Sequence, residues 1–92
     1  MAGMPRRHVV LLTLRRERGA IYARGLVRSE EEPGRWYVVR VLIDRAVLGG
    51  EWAIRIAGTC TCPAFHYGRA CKHITWLANK ALARVRAVQR AN

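Results

Sequence analysis

The sequence predicts an α+β fold in which an antiparallel β-meander of about four strands precedes a cysteine-containing loop and one C-terminal helix. Four segments rich in β-branched, leucine and aromatic residues follow one another, and short stretches containing glycine or proline separate them. The last part of the chain has apolar residues at helical spacing. All three cysteines of the chain lie between these two regions. Successive strands joined by short turns favour an antiparallel sheet with one face covered and one face open.

The chain of 92 residues is short enough to predict a single domain. A domain of this size buries a small fraction of its surface, so a metal cross-link would contribute noticeably to stability. The apolar run from Val9 to Leu12 is too short for a signal peptide, and no run approaches membrane-spanning length. We therefore expect a soluble, intracellular and cytoplasmic protein, in which cysteines stay reduced.

The first two strands form an N-terminal hairpin at about residues 8–28. The segment His8–Leu14 precedes a polar stretch that closes on Gly19, and Ala20–Arg28 follows it. Pro33–Gly34 then suits a type II turn. The three glutamates before this turn are expected in a solvated loop.

The third and fourth strands are predicted at Trp36–Ile43 and Glu51–Ala57, with a loop at 44–50. Because side chains alternate across a strand, one set of the third strand faces the core. That set is Tyr37, Val39, Val41 and Ile43. In the fourth strand Trp52, Ile54 and Ile56 alternate with Glu51, Ala53 and Arg55.

The open face of the sheet combines aromatic and arginine side chains, as a surface that stacks bases and neutralises phosphates would. The aromatic residues could equally form ordinary cross-strand pairs. The set comprises Tyr22, Arg24, Arg28, Trp36, Arg40 and Arg55. We select Tyr22 and Trp36 as stacking candidates and Arg40 and Arg55 as nucleic-acid contacts.

A helix is predicted from Lys72 to Arg90. Its apolar stripe, which should pack on the sheet, consists of Ile74, Leu77, Ala78, Ala81, Leu82, Val85 and Val88. Cations occupy the rest of its surface, and no acidic residue follows Glu51. Trp76 lies far from the stripe, which makes it either a partner contact or a residue covered by a terminal segment.

The three cysteines and one histidine form two close pairs of potential metal ligands. The pairs are Cys60-x-Cys62 and Cys71-x-His73, with eight residues between them. Three thiolates and one imidazole fill the four tetrahedral positions of a zinc ion, so we expect one structural Zn²⁺. Buried, unliganded thiols are the alternative. A disulfide fits poorly, because three cysteines leave one unpaired. His66, within the spacer, could replace His73.

These residues resemble the SWIM zinc finger, whose pattern is Cys-x-Cys-x(n)-Cys-x-His. Besides the four ligands, Pro63, Phe65, Lys72 and Ile74 match it. The resemblance covers about residues 36–82 and implies a ββα core in which a hairpin delivers the first two ligands and a helix begins at the last two. It also implies binding to DNA or to protein partners.

A catalytic role is not expected. Zinc hydrolases and deaminases leave one coordination position open and place a carboxylate beside the metal. The spacer and the following helix contain no acidic residue, and no phosphate-binding or nucleophile motif is present.

The net charge of +11 favours a polyanionic partner, although a compositional bias towards arginine would produce the same value. We expect nucleic-acid binding, with DNA preferred over RNA and no small-molecule substrate. The predicted contacts around the zinc site and the helix are Arg69, Lys72, Lys80, Arg84, Arg86 and Arg90. The alternative is a zinc-stabilised adaptor that binds a protein partner or forms a homodimer, through Trp76 or an open strand edge.

Overall fold

The computed structural model describes residues 8–68 and 71–91, without the side chains of Leu48 and of residues 89–91. Four strands form one antiparallel sheet in sequence order, which confirms the predicted meander. They are β1 (Val9–Glu17), β2 (Ala20–Arg28), β3 (Trp36–Leu48) and β4 (Glu51–Cys60). Two helices follow, the short α1 (Pro63–His66) and the long α2 (Lys72–Ala91).

The core lies between α2 and one face of the sheet. Tyr37, Val39, Val41 and Ile43 are all buried on this face, as alternation along β3 predicts. Helix α2 contacts all four strands, and Leu77, Ala78 and Ala81 are fully buried against them. The predicted α+β architecture is therefore present, with one covered and one open face.

Three strands are longer than predicted. β1 continues through Arg15 to Glu17, with a register shift at Leu12, and β4 continues to Cys60. The predicted loop at 44–50 is wrong, because β3 runs to Leu48 and only Gly49–Gly50 form the turn. Both glycines have positive φ (60° and 84°), the combination that suits a two-residue hairpin between twisted strands.

The extended part of β3 has no second neighbouring strand among the described residues. β2 pairs with β3 only as far as Ile43, so residues 44–48 of β3 pair with β4 alone. Residues 44–55 thus form a two-stranded ribbon that extends beyond the rest of the sheet. We refer to this segment as the ribbon.

Glycine at two sheet positions lets α2 approach closely. A Cβ atom at Gly25 would lie 2.4 Å from the carbonyl oxygen of Val10 and 2.7 Å from Leu77 Cδ1. A Cβ at Gly58 would lie 2.4 Å from the carbonyl oxygen of Arg40 and 3.0 Å from Ile74 Cγ2. The backbone itself is the obstacle at both sites, so a larger residue would force the sheet or the helix to move.

The predicted apolar stripe of α2 ends before Val88. Ile74 and Leu82 are half-buried and Val85 is buried, but Val88 is 51% exposed. A helix of 20 residues is about 30 Å long, whereas four strands span only about 14 Å between the outer strand axes. The assignment of Val88 to the core is therefore wrong, since the stripe continues beyond its sheet contacts.

No helix in the described part of the chain is long and apolar enough to cross a membrane. The cytoplasmic location stays a prediction.

Gly25→Ala should lower the free energy of unfolding by about 2–3 kcal/mol, as overpacking of a tight core does. Chemical denaturation of the zinc-loaded protein measures this change. Gly34→Ala is the control: Gly34 has φ +84°, but a Cβ added there would have nothing within 4 Å, so only backbone strain of about 1 kcal/mol applies. An equal effect of the two substitutions would contradict the crowding of Gly25 by the Val10 carbonyl and Leu77.

Candidate metal centre

The four predicted ligands come from the junction between the sheet and the two helices. Cys60 is the last residue of β4, and Cys62 caps the N-terminus of α1. Cys71 immediately precedes α2, and His73 lies in its first turn. Antiparallel pairing fixes the position of Cys60 opposite Val39, so the sheet determines where the first ligand lies.

The ligand atoms of these four side chains all lie within 4.8 Å of one another. Cys62 Sγ and Cys71 Sγ are 3.4 Å apart, and His73 Nδ1 lies 3.6 Å from the Sγ atoms of both Cys60 and Cys71. Tetrahedral zinc with bonds of about 2.3 Å to sulfur and 2.0–2.1 Å to nitrogen requires S···S of about 3.8 Å and S···N of about 3.6 Å. The donor set and its separations fit one zinc ion, with Nδ1 as the imidazole ligand.

The alternatives to this ligand set do not have the required geometry. The three cysteines are free thiols. The 3.4 Å between Cys62 and Cys71 sulfurs is far longer than the ~2.05 Å of a disulfide. His66, the alternative imidazole, is exposed, packs edge-on against Tyr67 and lies outside the cluster.

Backbone amides of the loop point at the sulfur atoms. The N–H of Phe65 donates to Cys62 Sγ (3.5 Å), and the N–H of Cys62 donates to Cys60 Sγ (3.4 Å). Pro63 at the start of α1 pre-sets the helical backbone that brings the Phe65 N–H to the sulfur. Such bonds favour the thiolate, the form that binds metal.

The pKa values of the ligands differ because their surroundings differ. Burial raises the pKa of the Cys60 thiol to about 12. Burial also acts to raise the pKa of Cys62, but the amide of Phe65 and the neighbouring thiols outweigh it and the pKa is lowered. Burial and the nearby charge of Lys72 lower the pKa of His73. The lowered pKa of His73 favours the neutral imidazole, the form that binds metal.

Two aromatic rings hold the His73 imidazole in place. The Tyr37 ring lies 5.1 Å from it between centroids, and the Trp76 ring meets it edge-on at 5.4 Å. Trp76 is half-buried, and Lys72 Nζ lies 5.3 Å from its ring centroid. Neither sequence interpretation of Trp76 predicted this contact with His73. Helical spacing shows which residues form the apolar stripe, but it does not show which side chain packs against a metal ligand.

Residues 56–82 match the family model of the SWIM zinc finger. The chain carries a SWIM zinc finger. Comparisons with curated proteins and with solved structures gave no match. The finger spans the second half of β4, α1 and the first half of α2, so both pairs of ligands fall within the matched residues. The resemblance found in the sequence is thereby confirmed for this part of the chain.

The zinc ion of this SWIM finger has a structural role, because a Cys₃His set supplies all four ligands of tetrahedral zinc. Cys60, Cys62, Cys71 and His73 would fill its coordination shell. The ion, when bound, ties the end of the sheet to the start of α2. That connection constrains the direction in which the helix leaves the finger.

The predicted nucleic-acid contacts on α2 are only partly available. Lys80, Arg84 and Arg86 are exposed and form no ion pair with a described residue. Lys72, by contrast, donates to Glu30 Oε1 at 2.6 Å. Arg69 lies outside the described residues, and so does the side chain of Arg90.

The predicted residues of the open face lie together on that face. Arg40 stands directly opposite Arg24, and Thr13 and Thr59 flank this pair on the outer strands. The guanidinium of Arg15 lies 5.3 Å from the centroid of the Tyr22 ring. Trp36 is 41% exposed and pairs with Arg28 across the strands.

Arg55 is engaged in a contact that the sequence interpretation missed. Its Nε and Nη2 donate to both carboxylate oxygens of Asp44, at 3.0 and 2.7 Å. The sequence pattern predicts a loop at Asp44, but a turn at Gly49–Gly50 places this residue directly opposite Arg55. The turn residues were therefore a signal that could have revealed this pair.

The cations of α2 and those of the open sheet face lie on different sides of the sheet, with β1 between Lys80 and Arg84 on one side and Arg24 and Arg40 on the other. The predicted residues do not form one continuous site. A ligand in contact with α2 cannot reach the open face except around an edge of the sheet.

Cys60→Ser and His73→Ala should each lose stoichiometric zinc and most of the cooperative unfolding transition, because metal binding free energy is folding free energy in small units. Zinc per chain is measured by elemental mass spectrometry and unfolding by circular dichroism. His66→Ala is the matched control and should retain one zinc. Loss of zinc in the control together with its retention in His73→Ala would reverse the ligand assignment.

Proposed function

We propose that this SWIM finger is a nucleic-acid-binding module, with DNA preferred over RNA, and that its contact surface is the exposed side of α2. The observation that carries the proposal is the set Lys80, Arg84 and Arg86, which has no carboxylate partner among the described residues. The segment after Glu51 contains no acidic residue. Exposed cations without a described carboxylate partner favour a polyanion, and Arg86 lies on the opposite flank of α2 from Lys80 and Arg84.

The placement of two of these cations supports the proposal. Lys80 and Arg84 are four residues apart, so they follow one line along the helix. With Ala83 they border a surface depression whose other wall is β1, from Val9 to Leu14. Phosphates of a backbone that runs along α2 could contact both cations in succession.

The open face of the sheet is the second surface that could serve the same function. Arg24 and Arg40 face each other without a described carboxylate partner, and Tyr22 and Trp36 are exposed on the same face. Such a surface suits single strands, since stacking tolerates any base. Duplex contact would instead favour the convex helix, so the preferred strand form distinguishes the two surfaces.

The zinc ion is proposed to be structural and the module to have no catalytic activity. Four protein donors complete a tetrahedral shell, which leaves no position for a reacting water molecule.

The alternative role is a zinc-stabilised adaptor for protein partners. The exposed apolar side of the ribbon favours an interaction of this kind, whereas Trp76 is occupied against His73. The two roles differ in salt dependence, because counterion release weakens phosphate binding steeply as salt rises and an apolar interface is far less sensitive.

Replacing Lys80, Arg84 and Arg86 together by glutamine should weaken DNA binding by roughly 100-fold near 0.15 M salt if each neutralises one phosphate, and lower the salt slope by about 2–3. Fluorescence anisotropy with labelled single-stranded and duplex DNA measures both quantities. Zinc content and unfolding should not change, because all three side chains are exposed.

The control variant removes the same charge elsewhere, with glutamine at Arg16, Arg35 and Arg45, all of which are exposed. It should lose less affinity than the helix variant. Equal losses would mean that net charge alone attracts DNA, and a larger loss with Arg24→Gln plus Arg40→Gln would move the contact to the open sheet face.

A further inference from the structure

On the same side of the sheet as the core, the ribbon and the adjoining Ile56 expose apolar side chains, with Arg45 among them opposite Ile54 and 5.9 Å from the Trp52 ring centroid. Ile56 stands directly opposite the buried Ile43, and Trp52 stands opposite Val47. Helix α2 covers Ile43 but neither Ile56 nor the ribbon, so these side chains are open to solvent. The exposed fractions are 43% for Ile56, 57% for Val47, 61% for Ile54 and 73% for Trp52.

The outer edge of the ribbon is also unprotected. β4 is an edge strand of ten residues without proline or a register shift, whereas the other edge strand, β1, carries a bulge at Leu12. Edge strands that are long, regular and apolar pair readily with another strand. A two-stranded ribbon is also only marginally stable alone in water.

The backbone groups available at this edge belong to the apolar residues. The two-residue turn closes on the hydrogen-bonded pair Leu48–Glu51, so alternate residues of β4 bond to β3. The amide and carbonyl groups of Trp52, Ile54 and Ile56 consequently point away from β3. Another strand could bond to them directly.

The charges along this edge repeat in a way that fits a second copy of the same strand. Glu51 and Arg55 are four residues apart, with Ala53 midway between them. Glu51 forms no ion pair with a described residue, and Arg55 uses only Nε and Nη2 for Asp44, which leaves the Nη1 donors. An antiparallel copy centred on Ala53 would place each Glu51 opposite Arg55 of the other chain.

We propose that two copies of this protein associate by antiparallel pairing of β4 with β4 about a two-fold axis at Ala53, which joins the two sheets into one. In this register Trp52 lies opposite Ile54 of the second copy, an aromatic and β-branched pair that stabilises neighbouring strands. Small Ala53 side chains meet at the axis, where the chains approach most closely. The interface is isologous, as closed dimers require.

This interface is independent of the nucleic-acid proposal and responds oppositely to salt. Each copy carries a net charge of +11, and the two copies therefore repel each other at low ionic strength. Each exposed Glu51–Arg55 pair between copies contributes little, so screening of the overall repulsion should strengthen the dimer as salt rises, while it weakens phosphate contacts.

Sedimentation velocity of the zinc-loaded full chain, without nucleic acid, tests the association over a concentration series at low and high salt. We expect a dimer whose dissociation constant falls as salt rises. Ile54→Lys places a charge on the paired edge and should raise the dissociation constant at least tenfold. Val47→Lys is the control, because Val47 lies on the inner strand of the ribbon, and it should leave the dimer largely intact. A monomer under all conditions, or a dimer that Ile54→Lys does not weaken, would overturn the proposal.

Cysteine cross-linking tests the register in the same zinc-loaded protein. Opposed residues that do not bond to each other have Cα atoms about 4.5 Å apart, within the range of disulfides of about 4.4–6.8 Å. Ala53→Cys should form a covalent dimer on mild oxidation. Ala57→Cys, on the same strand and the same face, lies opposite the turn of the second copy and should not. Efficient cross-linking of Ala57→Cys but not of Ala53→Cys would overturn the proposed pairing.

Discussion

Coordination of one zinc ion by Cys60, Cys62, Cys71 and His73 is the constraint on which the rest of the structure depends. It joins the last residue of an edge strand to the first turn of the only long helix among the described residues. The segment between them is short, and two of its amides, those of Cys62 and Phe65, donate to sulfur. Without the ion, little in this segment would hold α2 at its present angle to the sheet.

Once the direction of α2 is set, the extent of the core depends on the length of α2 and the dimensions of the sheet. Gly25 and Gly58 let α2 lie close to the sheet, and the helix covers the half of the sheet nearest the metal. The ribbon extends past this cover, and so does the end of α2 at Val88. The same geometry separates the cations of the helix from those of the open sheet face. The zinc site, the basic surface and the exposed strand edge thus occupy three different parts of this small protein.

Much of this structure could be predicted from local patterns. The Cys-x-Cys and Cys-x-His pairs, the alternation along β3 and the stripe of α2 each depend on residues near in sequence, where spacing determines direction. The contact between Glu30 and Lys72 could not be predicted, because 42 residues separate them and no local pattern links them. The exposure of Val88 depends on the width of the sheet relative to the length of the helix. The extension of β3 was obscured because Asp44 and Arg45 are polar, although Gly49–Gly50 determines the register that pairs Asp44 with Arg55.

Removal of zinc from the wild-type protein tests the central claim most directly. A strong chelator is titrated into the zinc-loaded chain while zinc content and far-ultraviolet circular dichroism are followed together. If zinc connects the sheet to α2, the helical signal should fall in proportion to the metal released, with one zinc per chain at the start, and it should return when zinc is restored. A protein that keeps its helical signal and its unfolding midpoint after complete loss of zinc would contradict the account.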